Sequence, residues 1–567
     1  MAPPRFAVRS VAIIGAGSSG LTAARYIEGQ GAFDRIVVYE QRAEVGGLWT
    51  YSRRPTDRDY IPQESPYLAP DPPLPPDPSD PGDRGAPVFP SPTYDRLFVN
   101  IPHPLMGFTD LPIASVHEDP TIAASLPPLT IFPQRQTIAA YLTSYSQAVR
   151  HLIRFSTKVD DVRLLRRRRP PRAASRHPNG VTWQHDDDGD GDMDGDEDDY
   201  VDQWEVHATH LLAGTKTVET FDAVIVAQGH YDITFVPDIA NIRAFDAAHP
   251  GVLTHAKRYR NAAPYRDKKV LIVGNSASGL DIAPQVNEVC QRPLYLSVRT
   301  PSIPQLFARI EGAEERPEIA EFLVAERGVR FTDGRVLRDL DAVLFCTGYL
   351  FALPFLKQQP PRPSMATATT NTTTTTTPKG GGLAAPMLST GRRIHRLYDD
   401  LFHIDHPTLA FLCLPMKVVP YAVAQCQAAV VARTWANTLS LPSRAAMDAW
   451  EQAAEAVRGP TFHEWPHGQD GVYINATYER IMAGPDAPAS RAGKAPPRWD
   501  AELLWMRSEF LKAKAAFEAT GQTATSLAEL GLVYDKDGEA TAAVAAANNQ
   551  AVRLLGDAVN EHAGSKL

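Results

Sequence analysis

The sequence predicts an α/β fold containing two Rossmann-like domains. Two observations carry this reading. A buried strand that runs into a glycine-rich turn and a helix occurs twice, and each copy is followed by a second strand ending in a charged residue. The rest of the chain alternates short apolar strands with amphipathic helices, the pattern of a parallel sheet covered by helices. At 567 residues the chain is long enough for two or more domains with large cores.

The first copy is Val11-Ala-Ile-Ile-Gly15-Ala16-Gly17-Ser18-Ser19-Gly20, leading into the helical Leu21–Glu28. Gly15 permits the tight turn, Gly17 lets a pyrophosphate approach the backbone, and Gly20 lets helix pack on strand. The helix N-terminus then presents free N–H groups and a favourable dipole to the phosphates. The next strand, 36–39, ends in Glu40, 25 residues after Gly15. A carboxylate there accepts hydrogen bonds from ribose hydroxyls and repels a 2′-phosphate.

The second copy is Val270-Leu-Ile-Val-Gly274-Asn275-Ser276-Ala-Ser278-Gly279, followed by Leu280 and Asp281. Ser276 replaces the middle glycine and is expected to tighten the approach to the backbone. The following strand, 293–298, ends in Arg299, again 25 residues from the first glycine but with opposite charge. A guanidinium at that tip suits a 2′-phosphate; a surface arginine beside a structural turn is the alternative. One dinucleotide with free ribose hydroxyls and one with a 2′-phosphate give FAD and NADPH as the economical cofactor pair.

Composition narrows the rest. Four scattered cysteines (Cys290, Cys346, Cys413, Cys426) exclude a disulfide framework, a zinc site and a Cys-x-x-Cys reductase, and suggest a reducing compartment. The net charge of −9 is concentrated in one tract, since ten of the fourteen residues from Asp186 to Asp199 are acidic and the remainder sums to +1. Nothing in that balance points to nucleic acid or a membrane surface. Asp190, Asp192, Asp194 and Gly195 imitate half of a calcium loop, but the twelfth position is Val201, so no metal is expected. No signal peptide or membrane span is expected: Leu409–Ala424 is broken by Pro415, Lys417 and Pro420. Three segments read as insertions that loop out: Pro-rich 62–92, basic-then-acidic 163–200 and Pro/Thr/Gly-rich 360–382.

Several strings resemble the flavin-containing monooxygenases of the soluble fungal and plant kind. They are Val45-Gly46-Gly47-Leu48-Trp49, Tyr94–Asn100 with Met106–Pro112, and Phe132-Pro133 with Tyr141-Leu142. Phe221–His230 and Asp341–Tyr349 look like the strands connecting the family's two nucleotide domains, and His406–Phe411 with Leu414–Pro420 like the segment closing over the flavin. The family's Phe-x-Gly-x-x-x-His-x-x-x-(Phe/Tyr) fingerprint aligns with His249–Tyr259, with His249 in place of the leading Phe. Tyr259 stands where Baeyer–Villiger oxygenases have Trp.

The resemblance implies an NADP domain inserted in a split FAD domain: 1–233 and 340–480 for FAD and 234–339 for NADP; beyond it, amphipathic sequence predicts a helical extension over 481–567 that packs outside or mediates association. It implies FAD contacts at Gly15, Ala16, Gly17, Ser18, Ser19, Gly20, Glu40, Leu48, Trp49, Val99 and Asn100, and NADP contacts at Gly274, Asn275, Ser276, Ser278, Gly279, Leu280, Asp281 and Arg299. A capping role is open for Asp281, and interface or cofactor roles are equally open for His255 and Tyr259. The implied reaction is N,N-dimethylaniline monooxygenase-like: NADPH reduces FAD, oxygen is trapped as a C4a-hydroperoxide, and one oxygen atom passes to a soft amine nitrogen or a sulfur of a small molecule. Asn100 is the implied catalytic residue at the flavin–nicotinamide junction; a turn-forming Asn before Ile101-Pro102 is the alternative. Rival readings are a Baeyer–Villiger or N-hydroxylating oxygenase, a peroxide-leaking NADPH oxidase, and a non-catalytic redox sensor. The tripeptide Ser565-Lys566-Leu567 reads as an address for the peroxisomal import receptor, with a cytoplasmic protein as the alternative.

Overall fold

The computed structural model describes residues 6–56, 59–76, 85–168, 200–302, 304–356, 383, 386–483 and 492–536. The 360–382 insertion, apart from residue 383 beside it, the acidic tract and the Ser565-Lys566-Leu567 tripeptide lie outside these residues.

Two sheets organise the chain, and each is centred on one of the two glycine-turn strands. In the seven-stranded sheet, Ser10–Ile14 lies between Arg35–Tyr39 and Ala223–Val226, parallel to both. Ile153–Arg154 extends one side, and Leu409–Phe411, Phe402–His403 and Leu397–Tyr398 extend the other. In the five-stranded sheet, Lys269–Val273 lies between Gln291–Ser297 and Ala342–Phe345, flanked by Glu314–Arg316 and Leu253–His255, all parallel. Both central strands are near-continuous apolar runs because helices or loops cover both faces. The second sheet takes Ala342–Phe345 as a strand and so runs past residue 339, where the sequence reading ends that domain.

Phe221–His230 and Asp341–Tyr349 are the strands from which the chain crosses between the two units, as expected, and the segments just after them, Ile233–Thr234 and Tyr349–Leu350, pair with each other. Each supplies the strand beside the glycine-turn strand of its own sheet, because its run of small and branched apolar residues can be buried on both faces.

The insertions also differ from expectation. Thr157–Arg168 and Tyr200–His210 form a long antiparallel ladder, joined by Lys216–Phe221, so residues 163–168 are strand rather than loop. Alternation drives this: Val162, Leu164, Trp204 and Val206 are buried on one face. The Pro-rich stretch does not loop out over its described part. It touches the body through the isolated bridge of Gln63 with Val236, folds on itself through that of Leu74 with Val88, and buries Gln63, Leu74 and Ser91. Prolines exclude a ladder but leave single bridges and side-chain seats available.

The C-terminal helix Ala501–Ala519 is also not peripheral. Met506, Ala513 and Phe517 are buried in the main core, together with Phe98, Phe132 and Trp499. Their spacing of seven and four places them on one helical face. Among the described residues, no helix is long and apolar enough to cross a membrane. If this helix is core, Phe517→Ala should cost about 3–5 kcal/mol, whereas Leu511→Ala on its more exposed side should stay within about 0.5 kcal/mol; denaturant melts of the two variants decide it.

Candidate dinucleotide site

Both glycine turns close in the same way. Gly15 has φ +100° and Gly274 φ +102°, left-handed conformations that favour glycine. A Cβ on Gly15 would stand 2.7 Å from the Ala227 carbonyl oxygen, and one on Gly274 2.7 Å from that of Cys346. The third glycines are tighter still: a Cβ on Gly20 would lie 1.8 Å from the Gly15 oxygen, and one on Gly279 2.0 Å from the Gly274 oxygen. The middle positions differ in kind. Gly17 and Ser276 are both extended (φ −74° and −84°), so the serine fits with no backbone strain and the expected tightening does not arise.

At the first turn, Ser18 and Ser19 open the helix Ser18–Gln30, and Ala16 N–H donates to Glu40 Oε2 at 2.7 Å. The Arg42 N–H donates to Glu40 Oε1 at 2.8 Å. Burial raises this carboxyl above its ordinary range, opposed by Arg42 and by the backbone donors. Two backbone donors leave a carboxylate with further lone pairs for a ribose. Gly46 N–H donates to the Ala16 carbonyl at 3.1 Å, and Gly47 approaches Gly17 closely, which lays the Gly47–Trp49 turn over the glycine turn. Leu48 is then held from the far side by Ser91 Oγ on its carbonyl.

From Ser91 the chain runs to Val99 and Asn100. Val99 is buried, with its N–H on the Pro133 carbonyl at 2.9 Å, while Asn100 is exposed. At the second turn, Ser278 lies in the helix Ala277–Asn287, and Asn275 Nδ2 donates to the Thr300 carbonyl (2.8 Å) and Ser302 Oγ (3.0 Å). Asn275 thus ties the turn to the loop that follows the exposed Arg299. Asp281 does not point to a free capping role: its carboxylate receives the Tyr94 hydroxyl from the segment leading to Asn100. Leu280 accepts from Arg309 at 2.8 Å.

Buried polar contacts line the second unit where it faces the first. His255 Nε2 lies 3.1 Å from the Gly348 carbonyl, and burial lowers its pKa to about 3, so it stays neutral. Tyr259 donates to Gln285 at 3.2 Å with its ring against Tyr94. His255 is thus satisfied beside its own sheet, whereas Tyr259 meets the Tyr94 segment of the first unit. Sequence reasoning missed Arg260, which donates to the Ser52 carbonyl (2.7 Å), Ser52 Oγ (3.1 Å) and the Tyr259 carbonyl (2.8 Å). It also missed Lys257, buried against Asp71 (2.9 Å) and Asp232 (2.6 Å). Their only signal was three cations in four residues, Lys257, Arg258 and Arg260, at the end of the His249–Tyr259 segment.

Two such turns at the carboxyl ends of the parallel central strands of two sheets fit a pair of dinucleotides, since their glycines let each helix N-terminus close onto the end of its strand. This defines a protein with two dinucleotide-binding turns. Comparison with known proteins agrees. Residues 196–313 match the flavin-binding monooxygenase-like family, and residues 13–66 an NAD(P)-binding Rossmann-like domain. The chain is similar to the thiol-specific monooxygenase of Saccharomyces cerevisiae, 26% identical over 88% of this chain and 91% of that one. It is also similar to flavin-containing monooxygenase FMO GS-OX-like 4 of Arabidopsis thaliana, 28% identical over 78% and 80% of the two chains. Among solved structures, S-allyl-L-cysteine S-oxygenase from Allium sativum shares the fold with a TM-score of 0.59, at 21% identity over 97% of this chain and 100% of that one. These matches make the chain similar to flavin-containing monooxygenases, and they support FAD and an NAD(P) nucleotide as its cofactors.

Gly279→Ala should therefore abolish NADP+ binding while FAD stays bound, and Gly251→Ala, where a Cβ meets open space at φ +83°, should cost only about 1 kcal/mol. Flavin absorbance of the purified variants and an NADP+ titration check both.

Proposed function

We propose that this chain is an NADPH- and FAD-dependent monooxygenase that places one oxygen atom of dioxygen on a soft nucleophilic sulfur or nitrogen of a small molecule. The observation that carries the reading is the pair of alike glycine turns whose following strands lead to Glu40 and Arg299 at the same spacing. FAD is assigned to the first turn, over Gly15–Gly20 with Glu40 on the ribose and Leu48, Trp49, Val99 and Asn100 nearer its ring. NADPH is assigned to the second, over Gly274–Gly279 with Arg299 on the 2′-phosphate. The first sheet is the FAD domain, split around the NADP domain.

Bound FAD, once reduced by NADPH, supplies the electrophilic oxygen, so the protein needs no acid–base pair to grip the substrate. The chain's own work is placement. Glu40 and the helix N-terminus Ser18–Gln30 fix one dinucleotide, and Asn275 steadies the loop that carries Arg299. Tyr94 on Asp281 registers the Asn100 segment against the second turn. Asn100 is assigned to the junction of the two rings, where an amide can hold and shield the reacting oxygen. Sulfur is the favoured acceptor, because the named activities of the yeast thiol-specific monooxygenase and the garlic S-oxygenase are both on sulfur.

The test is anaerobic reduction of the yellow protein by NADPH, compared with NADH. NADPH should reduce the wild type much faster, and Arg299→Ala should lose about tenfold or more of that preference, the worth of one charge-assisted contact. Equal reduction of wild type by both nucleotides would sink the Arg299 assignment.

A further inference from the structure

We propose that Lys514, on the C-terminal helix, is a positioning residue that fixes the backbone carrying Asn100 and links it to the NADP turn. This rests on the reading of Asn100 given above. Lys514 is 5% exposed, inside the core face of Ala501–Ala519. Its ammonium donates to the Val99 carbonyl at 3.0 Å, one residue before Asn100. Phe98, Phe132 and Phe517 surround it, with ring centroids 5.3–5.9 Å from Nζ.

One turn along the same helix, Glu518 lies 3.2 Å from Lys514 and also pairs with Arg309. Arg309 in turn donates to the Leu280 carbonyl, in the first turn of the helix at the NADP site. A continuous polar chain thus runs from the carbonyl beside Asn100, through one helix, to the second glycine turn. A lysine is a costly way to fill a core seat that Met or Leu would fill without losing hydration. Its ammonium has a use here that an aliphatic group lacks: a directed, charge-assisted hydrogen bond that holds one carbonyl in one place. The sequence conceals it, since the residue sits between Ala513 and Ala515 in a helix of mixed polarity.

The groups facing Lys514 are Glu518 on its own helix, and Asp281 and Arg309 from the NADP side, with Tyr94 on Asp281. Burial pushes the ammonium down to about 8. Loss of its proton above that pH weakens the bond to Val99, so oxygen transfer in the wild type should become leakier as pH rises through about 8.

The experiment uses the FAD-loaded full chain with methyl phenyl sulfide as probe. It measures peroxide released per NADPH consumed from pH 6.5 to 9.5, a range set around that value, and NADP+ affinity from the perturbation of the oxidised flavin spectrum. Lys514→Met should fold, since a neutral isostere relieves the buried charge. It should raise the peroxide fraction about fivefold near neutral pH, lose the alkaline rise, and weaken NADP+ about threefold. Lys514→Arg should restore tight coupling and move the alkaline rise upward. Wild-type coupling and NADP+ affinity in Lys514→Met overturn the proposal. If that variant does not hold FAD, an alkaline limb in Lys514→Arg that matches the wild type overturns it instead. Asn100→Ala in the same assay separates the two readings: unchanged coupling there refutes the Asn100 assignment, whereas leaky Asn100→Ala beside tight Lys514→Met refutes the role of Lys514 alone.

Discussion

The approach of a helix to the turn before it is the constraint on which both sheets rest. At Gly20 and Gly279 the backbone of the helix comes so near the carbonyl of Gly15 or Gly274 that no side chain fits. Closing that gap sets the helix N-terminus over the end of the sheet, where its free N–H groups and dipole can meet a pyrophosphate. The neighbouring strand then completes the seat, with the Ala227 or Cys346 carbonyl against the first glycine. The strand order, the placement of Glu40 and the exposure of Arg299 at a strand tip follow from it. The chain makes this device twice, and the charges that follow distinguish the two copies.

What turns two sites into one functional unit is the seam between them. The contacts there are polar and buried: Tyr94 on Asp281, Arg260 on Ser52, and Lys257 between Asp71 and Asp232. Buried polar groups are costly unless satisfied, so such a seam tolerates one relative placement of the two sheets far better than its neighbours. The Pro-rich segment and the C-terminal helix both take part in this seam, the first through Asp71 and the second through Glu518 on Arg309. Two stretches that look dispensable by composition thus help to hold the two units together.

The parts of this arrangement that are local were legible in the sequence. A strand–glycine–helix unit is specified by backbone sterics within about 25 residues of chain, and both copies, with Glu40 and Arg299, could be read directly. The parts that depend on long-range pairing were not. Residues 163–168 carry a basic block that suggests a solvated loop, yet their strand is set by pairing with Tyr200–His210 across the acidic tract. The helix 501–519 is too evenly mixed in polarity to announce a core face, and Lys514 conceals one further. Asp281 is a capping candidate by position, but its partner, Tyr94, lies 187 residues away. Tertiary contact overrides local propensity at each of these places.

The central claim is that one chain brings a nicotinamide and a flavin together to put oxygen on a soft nucleophile. The most direct measurement is a single turnover of the NADPH-reduced enzyme with isotopically labelled dioxygen and a thioether. The account predicts one labelled oxygen atom in the sulfoxide for each NADPH consumed. Sulfoxide without label, or label recovered only in peroxide, would contradict it.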